Sequence, residues 1–245
     1  MYKALKIIVQ ELNALGRPNL YRTPLLAFSR ADDEGYTRLK QIIGPWHQTP
    51  DELLPGAKSV ISYFVPFTRQ VADQPKDYLD GAPLWGEAYV VINAYFDQIN
   101  KALSDYFAEQ GFLSVSIKST HTYDPADMKS AWSHRHAAVI SGLGVFGVNR
   151  MLLTAKGSVG RIGTLLTTAD CTGWEPQARY MGPACPDCGL CIKACPVNAL
   201  SAERFDKFAC QDELNKNDAN QRATTGYTAD VCGKCISACP LAYIE

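Results

Sequence analysis

The first 170 residues contain no cysteine; all nine in the chain lie between Cys171 and Cys239. No export signal accompanies them. The N-terminus, MYKALKIIVQELNALG, carries Lys3, Lys6 and Glu11, lacks a small-residue cleavage site and reads as an amphipathic helix. Cysteines in such a chain argue against a disulfide framework, because the cytosol keeps thiols reduced. Long apolar runs are missing too. The longest uncharged one, Ala137 to Asn149, is too short and too glycine-rich to span a bilayer, so the expectation is a cytoplasmic protein without membrane association. Net charge is nearly absent, −1 over 245 residues. That gives no electrostatic footprint for promiscuous nucleic-acid or anionic-membrane binding, although it leaves a specific RNA partner open. The chain has no GK[ST] of a phosphate-binding loop and no strand-then-GxGxxG order of a dinucleotide fold.

What is present is concentrated at the C-terminal end. Cys185-x2-Cys188-x2-Cys191-x3-Cys195-Pro196 is the bacterial ferredoxin spacing, in which three cysteines ligate one [4Fe–4S] cube and the fourth reaches a neighbouring cube. A partial second copy, Cys232-x2-Cys235-x3-Cys239-Pro240, lacks one upstream cysteine. Cys210, ahead of the polar stretch QDELNKNDANQRATTG, can loop back to supply it. One cluster then takes Cys185, Cys188, Cys191 and Cys239, and the other takes Cys195, Cys210, Cys232 and Cys235. Zinc also accepts four thiolates, but its sites usually pair two CxxC knuckles across a longer spacer. Cys171 is left over, either as a small buried hydrophobe or as a residue facing a cofactor of the first domain.

The cysteine-free part alternates helices and strands. Leu5, Ile8, Val9, Leu12 and Leu15 recur at helical spacing, and DEGYTRLKQIIG predicts a second helix ending at Gly44-Pro45. SVISYFVPF and LSVSIKS predict strands. Tyr89 to Gln110 predicts a long helix stopped by Gly111. SHRHAAVISG predicts a helix capped by Ser133, and MLLTAKGSVGRIGTLLTT a hairpin around Lys156-Gly157. The mixture indicates an α/β or α+β domain. Six glycines between Gly142 and Gly163 permit either close backbone approach to a flat cofactor or ordinary tight turns.

GLGVFGVNRMLLTAKGSVGRIGTLLTT resembles the GLGWxGKN…GS…LG…T signature of epoxyqueuosine reductases and, more distantly, corrinoid reductive dehalogenases. The eight-cysteine set and DELLPGAKSVISYFVPF are similar to theirs as well. The resemblance implies a nitroreductase-like, cobalamin-binding domain over residues 1–170 and a two-cluster ferredoxin-like module over 171–245. It implies cofactor contacts from Met128, Arg135, Gly142, Gly144, Asn149, Leu152, Gly157, Ser158 and Gly163. A flavin is the weaker cofactor reading. Departures are specific: the family's D-x-x-P-x-x-E-R pattern reads MKSAWSHR here. Met128 replaces the acidic residue, Ala131 the proline and His134 the glutamate, while Val148 replaces the lysine of GKN. That family also continues past the second cysteine motif into helical repeats associated with tRNA binding, whereas this sequence stops five residues after Pro240.

Three functions follow as expectations. One is a corrinoid-dependent reductase of a small molecule, fed by a ferredoxin or flavodoxin, with Tyr123, Asp124, His121 or His134 as proton donor. The second is a corrinoid-binding or electron-transfer protein without its own substrate, passing electrons from a ferredoxin to cobalamin, its own or that of a partner enzyme. The third is a shortened epoxyqueuosine reductase using Asp124 or Asp127; tRNA is the less expected ligand.

Overall fold

The computed structural model describes residues 3–78, 80–118, 123–174, 179–226 and 228–245. Its elements begin with α1 (Lys3–Leu15), β1 (Leu25–Arg30), α2 (Glu34–Ile42), α3 (Pro50–Leu53), β2 (Ser59–Pro66), α4 (Arg69–Asp73) and α5 (Pro83–Ala108). After these come β3 (Ser114–Ser116), β4 (Tyr123–Asp124), β5 (Lys129–Ser130), α6 (His134–Ile140), β6 (Gly144–Phe146), β7 (Leu152–Thr154) and β8 (Gly160–Thr167). The cysteine-rich part contributes α7 (Leu190–Lys193), α8 (Lys207–Thr225) and α9 (Lys234–Ser237).

The main sheet has the order β1-β2-β8-β3, with every pairing antiparallel. All eight residues of β2 are buried, because both faces of the sheet are covered. Ile61, Tyr63 and Val65 point into a core with Ile8 and Leu12 of α1 and Ile92 and Phe96 of α5. Val60 and Phe64, on the alternate positions, meet Trp132 and Ala137 in one cluster and Ala138 and Leu152 in another. Side chains alternate faces along a strand, so a continuous apolar run serves both layers. Fully burying Ile8 or Leu12 contributes about 1.5–3 kcal/mol each, which fixes α1 on the sheet by its spacing-defined face.

Three elements depart from the sequence pattern. The predicted hairpin around Lys156-Gly157 is not formed: a tight turn closes Thr154 on Gly157, but β7 pairs with β6 while β8 inserts between β2 and β3. The run Gly163 to Thr167 is buried throughout, and an interior strand position satisfies it where a two-stranded ribbon would not. The polar stretch after Cys210 is not a loop but most of the 19-residue α8. Its Asn217 and Gln221 reach the carbonyls of Val231 and Ala82, so they pack polar edges rather than an apolar stripe. α5 begins at Pro83, six residues earlier than the apolar spacing predicts, with proline in the first turn where no N–H is missed.

CGLCIKACP and CGKCISACP fold alike. Gly189 and Gly233 each adopt a left-handed conformation and start a four-residue helix, α7 and α9. The region is joined to the sheet domain: Ala229, Val231 and Ala242 belong to the same core as α1 and α5, and Ser158 and Val159 both donate to the Ala242 carbonyl. Among the described residues, no helix is long and apolar enough to cross a membrane.

Candidate functional site

A cavity of about 600 Å³ opens between the sheet domain and the cysteine-rich region. Its apolar surface comes from Phe64, Trp85, Tyr89, Met151, Leu152 and Ile162, and its polar groups come chiefly from the start of α6, from β8 and from α8. The volume lies within the usual range for small-molecule and cofactor sites.

The eight thiols stand in two sets. Cys185, Cys188, Cys191 and Cys239 share a recess with Gly147, Val148 and Asn149. Cys195, Cys210, Cys232 and Cys235 line part of the large cavity. Within the second set, burial and then the neighbouring thiols push Cys210 up to about 11 and Cys235 up to about 12. Such thiols ionise only beside a positive centre, and an all-sulfur donor set fits an iron–sulfur cluster. Among the described residues, no three His, Cys, Asp or Glu side chains converge closely enough to hold a single ion. Asn149 bridges the two sets: it lines the recess of the first, and its amide donates to the Cys235 carbonyl in the second at 3.4 Å.

The wall opposite in sequence is built by two local devices. Ser133 caps α6, its hydroxyl accepting from the His136 N–H and meeting His136 Nδ1 at 2.7 Å. Trp132, just before, stacks with Tyr36 (5.7 Å) and with His47 (5.8 Å) and donates from Nε1 to Thr164 Oγ1 at 3.0 Å. His134 Nδ1 meets the same Thr164 hydroxyl at 2.8 Å and Nε2 meets the Lys118 carbonyl at 3.1 Å. These partners assign the Nε2–H tautomer: Trp132 donates to Thr164, Thr164 donates to Nδ1, and Nε2–H donates to the carbonyl. Burial, and after it the charges of Arg161 and Arg135, pull His134 down to about 4 against the lift from the Lys118 carbonyl, so the ring is neutral near pH 7. Arg135 opens onto the cavity and donates to the Arg150 carbonyl at 2.9 Å. Arg161 donates to Asn93 Oδ1 at 2.8 Å and lies over the Tyr89 ring.

No protein-family model matches the chain, and no curated protein matches it. Solved structures do. An epoxyqueuosine reductase solved with a modified tRNA-Tyr stem loop aligns at TM-score 0.55 and 19% identity, over 99% of this chain and 68% of that one. The epoxyqueuosine reductase of Bacillus subtilis aligns at TM-score 0.55 and 18% identity, over 98% and 66%. A catabolic reductive dehalogenase in complex with 3-bromo-4-hydroxybenzoic acid aligns at TM-score 0.55 and 15% identity, over 90% of this chain but 30% of that one. The chain shares the fold of the epoxyqueuosine reductases and corrinoid reductive dehalogenases.

Tyr123, Met128, His134, Arg135, Leu152 and Ser158 all line the cavity. Met128 does so with φ 52°, a left-handed conformation unusual for a side chain of its size. Asp124 does not: its carboxylate is exposed and accepts from the Ala126 N–H within the β4–β5 turn. Gly142, Gly144, Gly157 and Gly163 do not line it either. Gly142 ends α6 with φ 76°. A side chain at Gly144 would fall on the Leu153 carbonyl, at Gly157 on the Ala242 carbonyl and at Gly163 on the Tyr63 ring. These glycines serve close packing of backbone and ring. His121 lies outside the described residues. Cys171 is fully buried and lines neither the recess nor the cavity; its N–H donates to Ser59 Oγ and burial pushes its thiol up to about 12. Missed from sequence were His47, His136, Arg161, Glu213 and Asp230. They come from five separate segments, and no local spacing joins them.

Proposed function

We propose that this chain is a cobalamin-dependent iron–sulfur oxidoreductase that reduces a small molecule. The second thiol set opening directly onto the cavity carries this reading: a one-electron centre held there shares a wall with whatever the cavity binds. The fold it shares with reductases supports it. Cys185, Cys188, Cys191 and Cys239 would hold one [4Fe–4S] cluster and Cys195, Cys210, Cys232 and Cys235 the other. Cys188, exposed, marks the side where a ferredoxin or flavodoxin would deliver electrons. Bound cobalamin supplies a cobalt centre that accepts electrons singly and reacts with substrate.

The residues fit such a group. Flat apolar surface comes from Trp85, Tyr89 and Ile162, and Ser158 Oγ is buried in the wall without a hydrogen-bond partner, a place for a polar edge. Arg135 orients a polar or anionic group. Tyr123 brings a phenol to the cavity wall as the candidate proton donor, whereas the bonded, neutral His134 braces Trp132 and residue 118. The second reading, an electron-transfer protein without its own substrate, is favoured by Met128 at the family's acid position and by Asp124 facing solvent. One fold neighbour was solved with a tRNA stem loop, so the expectation against tRNA has no support from the fold.

Anaerobic reconstitution with iron, sulfide and cobalamin, followed by metal analysis and EPR, tests the proposal. The expected result is about eight irons, as two four-iron clusters, and one cobalt per chain. Cys195→Ala should lose half the iron and all cobalt reduction. Full iron without cobalt would favour the electron-transfer reading. Zinc in place of iron would overturn both.

A further inference from the structure

Besides Ser158, the cavity wall holds a larger buried polar side chain that neither the cluster ligands nor the fold accounts for. His47 is 1% exposed, forms part of the cavity wall, and has no hydrogen-bond partner at either ring nitrogen. Buried polar groups are almost always paired, so an imidazole with two idle nitrogens needs an explanation. It is not a loosely placed ring. The backbone N–H of His47 donates to the Gly44 carbonyl at 3.0 Å, and that of the next residue, Gln48, donates to the Ala131 carbonyl at 2.8 Å. Thr49 and Glu52 close a reciprocal cap on α3 immediately afterwards. The ring itself stacks on Trp132. Burial pulls its pKa down against a lift from the adjacent Gln48 backbone, which lies outside hydrogen-bond geometry, so at neutral pH the ring offers one N–H donor and one lone pair.

A cation lies along the same wall. Arg135 lines the cavity together with His47 and His136, three residues past the Trp132 on which His47 stacks. Arg135 donates to a carbonyl and to the Met151 sulfur and, among the described residues, has no carboxylate partner. The two cavity carboxylates are engaged elsewhere: Glu213 lies 3.9 Å from Lys216, and Asp230 acts on Arg161 and Tyr89. A guanidinium with most of its donors unused, beside an imidazole with none used, matches an oxygen-bearing anion.

We propose that His47 and Arg135 form the subsite that recognises an anionic oxygen group, a carboxylate or phenolate, on a flat small-molecule substrate. This rests on reading the cavity as the substrate chamber of a reductase. His47 donates its N–H to one oxygen, and Arg135 supplies the charge.

The test uses the full chain, reconstituted anaerobically, with nicotinate and nicotinamide as probes of one shape and different charge, and cyanocobalamin as a separate ligand. Binding is followed by calorimetry. Nicotinate should bind and nicotinamide should not. His47→Phe keeps the stack on Trp132 and removes both nitrogens; it should weaken nicotinate roughly ten- to hundredfold, the loss expected for a hydrogen bond to a charged group. Its melting temperature should hold or rise, because two unpaired buried nitrogens are removed. His47→Gln, which restores a donor, should recover part of the affinity. Arg135→Met should abolish nicotinate binding. Cyanocobalamin binding should be retained in His47→Phe. If wild type binds nicotinate but not cyanocobalamin, the corrinoid reading falls and the subsite stands. Equal affinity of wild type and His47→Phe for nicotinate, no nicotinate binding by wild type, or a loss confined to cyanocobalamin would each overturn it.

Discussion

Gly163 separates two accounts of the glycine-rich segment. If it lies under a cofactor, adding a methyl group should damage binding; if it serves the sheet, the damage should appear in stability. In the structure Gly163 pairs with Tyr63 across β2 and β8, and a Cβ there would fall on the Tyr63 ring. That ring has little room to yield. It is fully buried, packs edge-on against Phe96 at 5.2 Å, and donates from its hydroxyl to Asn100 Oδ1 at 3.0 Å. Overpacking by one methyl costs about 1–3 kcal/mol, and replacing glycine within a strand returns about 0.5–1 kcal/mol of chain entropy. Because the ring is pinned, the upper half of the overpacking range applies, and the net loss for Gly163→Ala is about 1–2.5 kcal/mol, or roughly 2–10 °C in melting temperature for a chain of this size. The hydroxyl is among the atoms the new methyl meets, so Tyr63→Phe should partly relieve the clash. A double-mutant cycle should give a coupling of about 0.5 kcal/mol or more. Scanning calorimetry of the anaerobic protein, beside cobalamin titration, measures both sides. An unshifted melting temperature with lost cobalamin affinity would refute the packing account.

The two motif glycines should respond unequally. At Gly189 an added Cβ meets nothing within 4 Å, so Gly189→Ala carries only the left-handed backbone cost of about 1–2 kcal/mol. Gly233→Ala would also press on Trp85 and Pro75, and its denaturation midpoint should fall further. His134 and His136 are both held near 4, against about 6.5 in an unfolded chain. Below pH 6.5 the unfolded state binds protons that the native rings refuse, so the contribution of the two rings to stability should fall from about pH 6.5 to 4 and flatten beneath, while carboxylates such as Glu52 continue the loss at lower pH. His134→Gln should remove part of that slope, leaving the share of His136; an unchanged slope would contradict the depressed value.

The apolar patterns were legible wherever one residue's partners repeat along its own chain. Ile8 and Leu12 on α1 and the buried run of β2 read directly from spacing, and the Ser133 cap of α6 read from one residue. β8 did not, because nothing in MLLTAKGSVGRIGTLLTT says that its neighbour is β2 rather than the strand just before it. α8 was hidden for a different reason: its inward residues, Asn217 and Gln221, bury amides instead of methyls, so the apolar stripe that marks a helix is missing. The site shows the same division. The cysteine sets lie in short motifs, while His47 reaches Trp132 across more than eighty residues by a stack that leaves no local signature. The glycines misled because a close approach needed by a tyrosine ring looks the same in sequence as one needed by a ligand.

The crossing of the two cysteine motifs has a consequence for how the protein is made. Cys195 leaves the first motif for the second thiol set, and Cys239 leaves the second motif for the first. As the chain emerges from the ribosome, the set beside the cavity is complete at Cys235. The set whose first three thiols were synthesised much earlier waits for Cys239. For that interval Cys185, Cys188 and Cys191 stand without the thiol that completes their set. Loading of the proposed first cluster therefore has to wait for the last residues of the second motif.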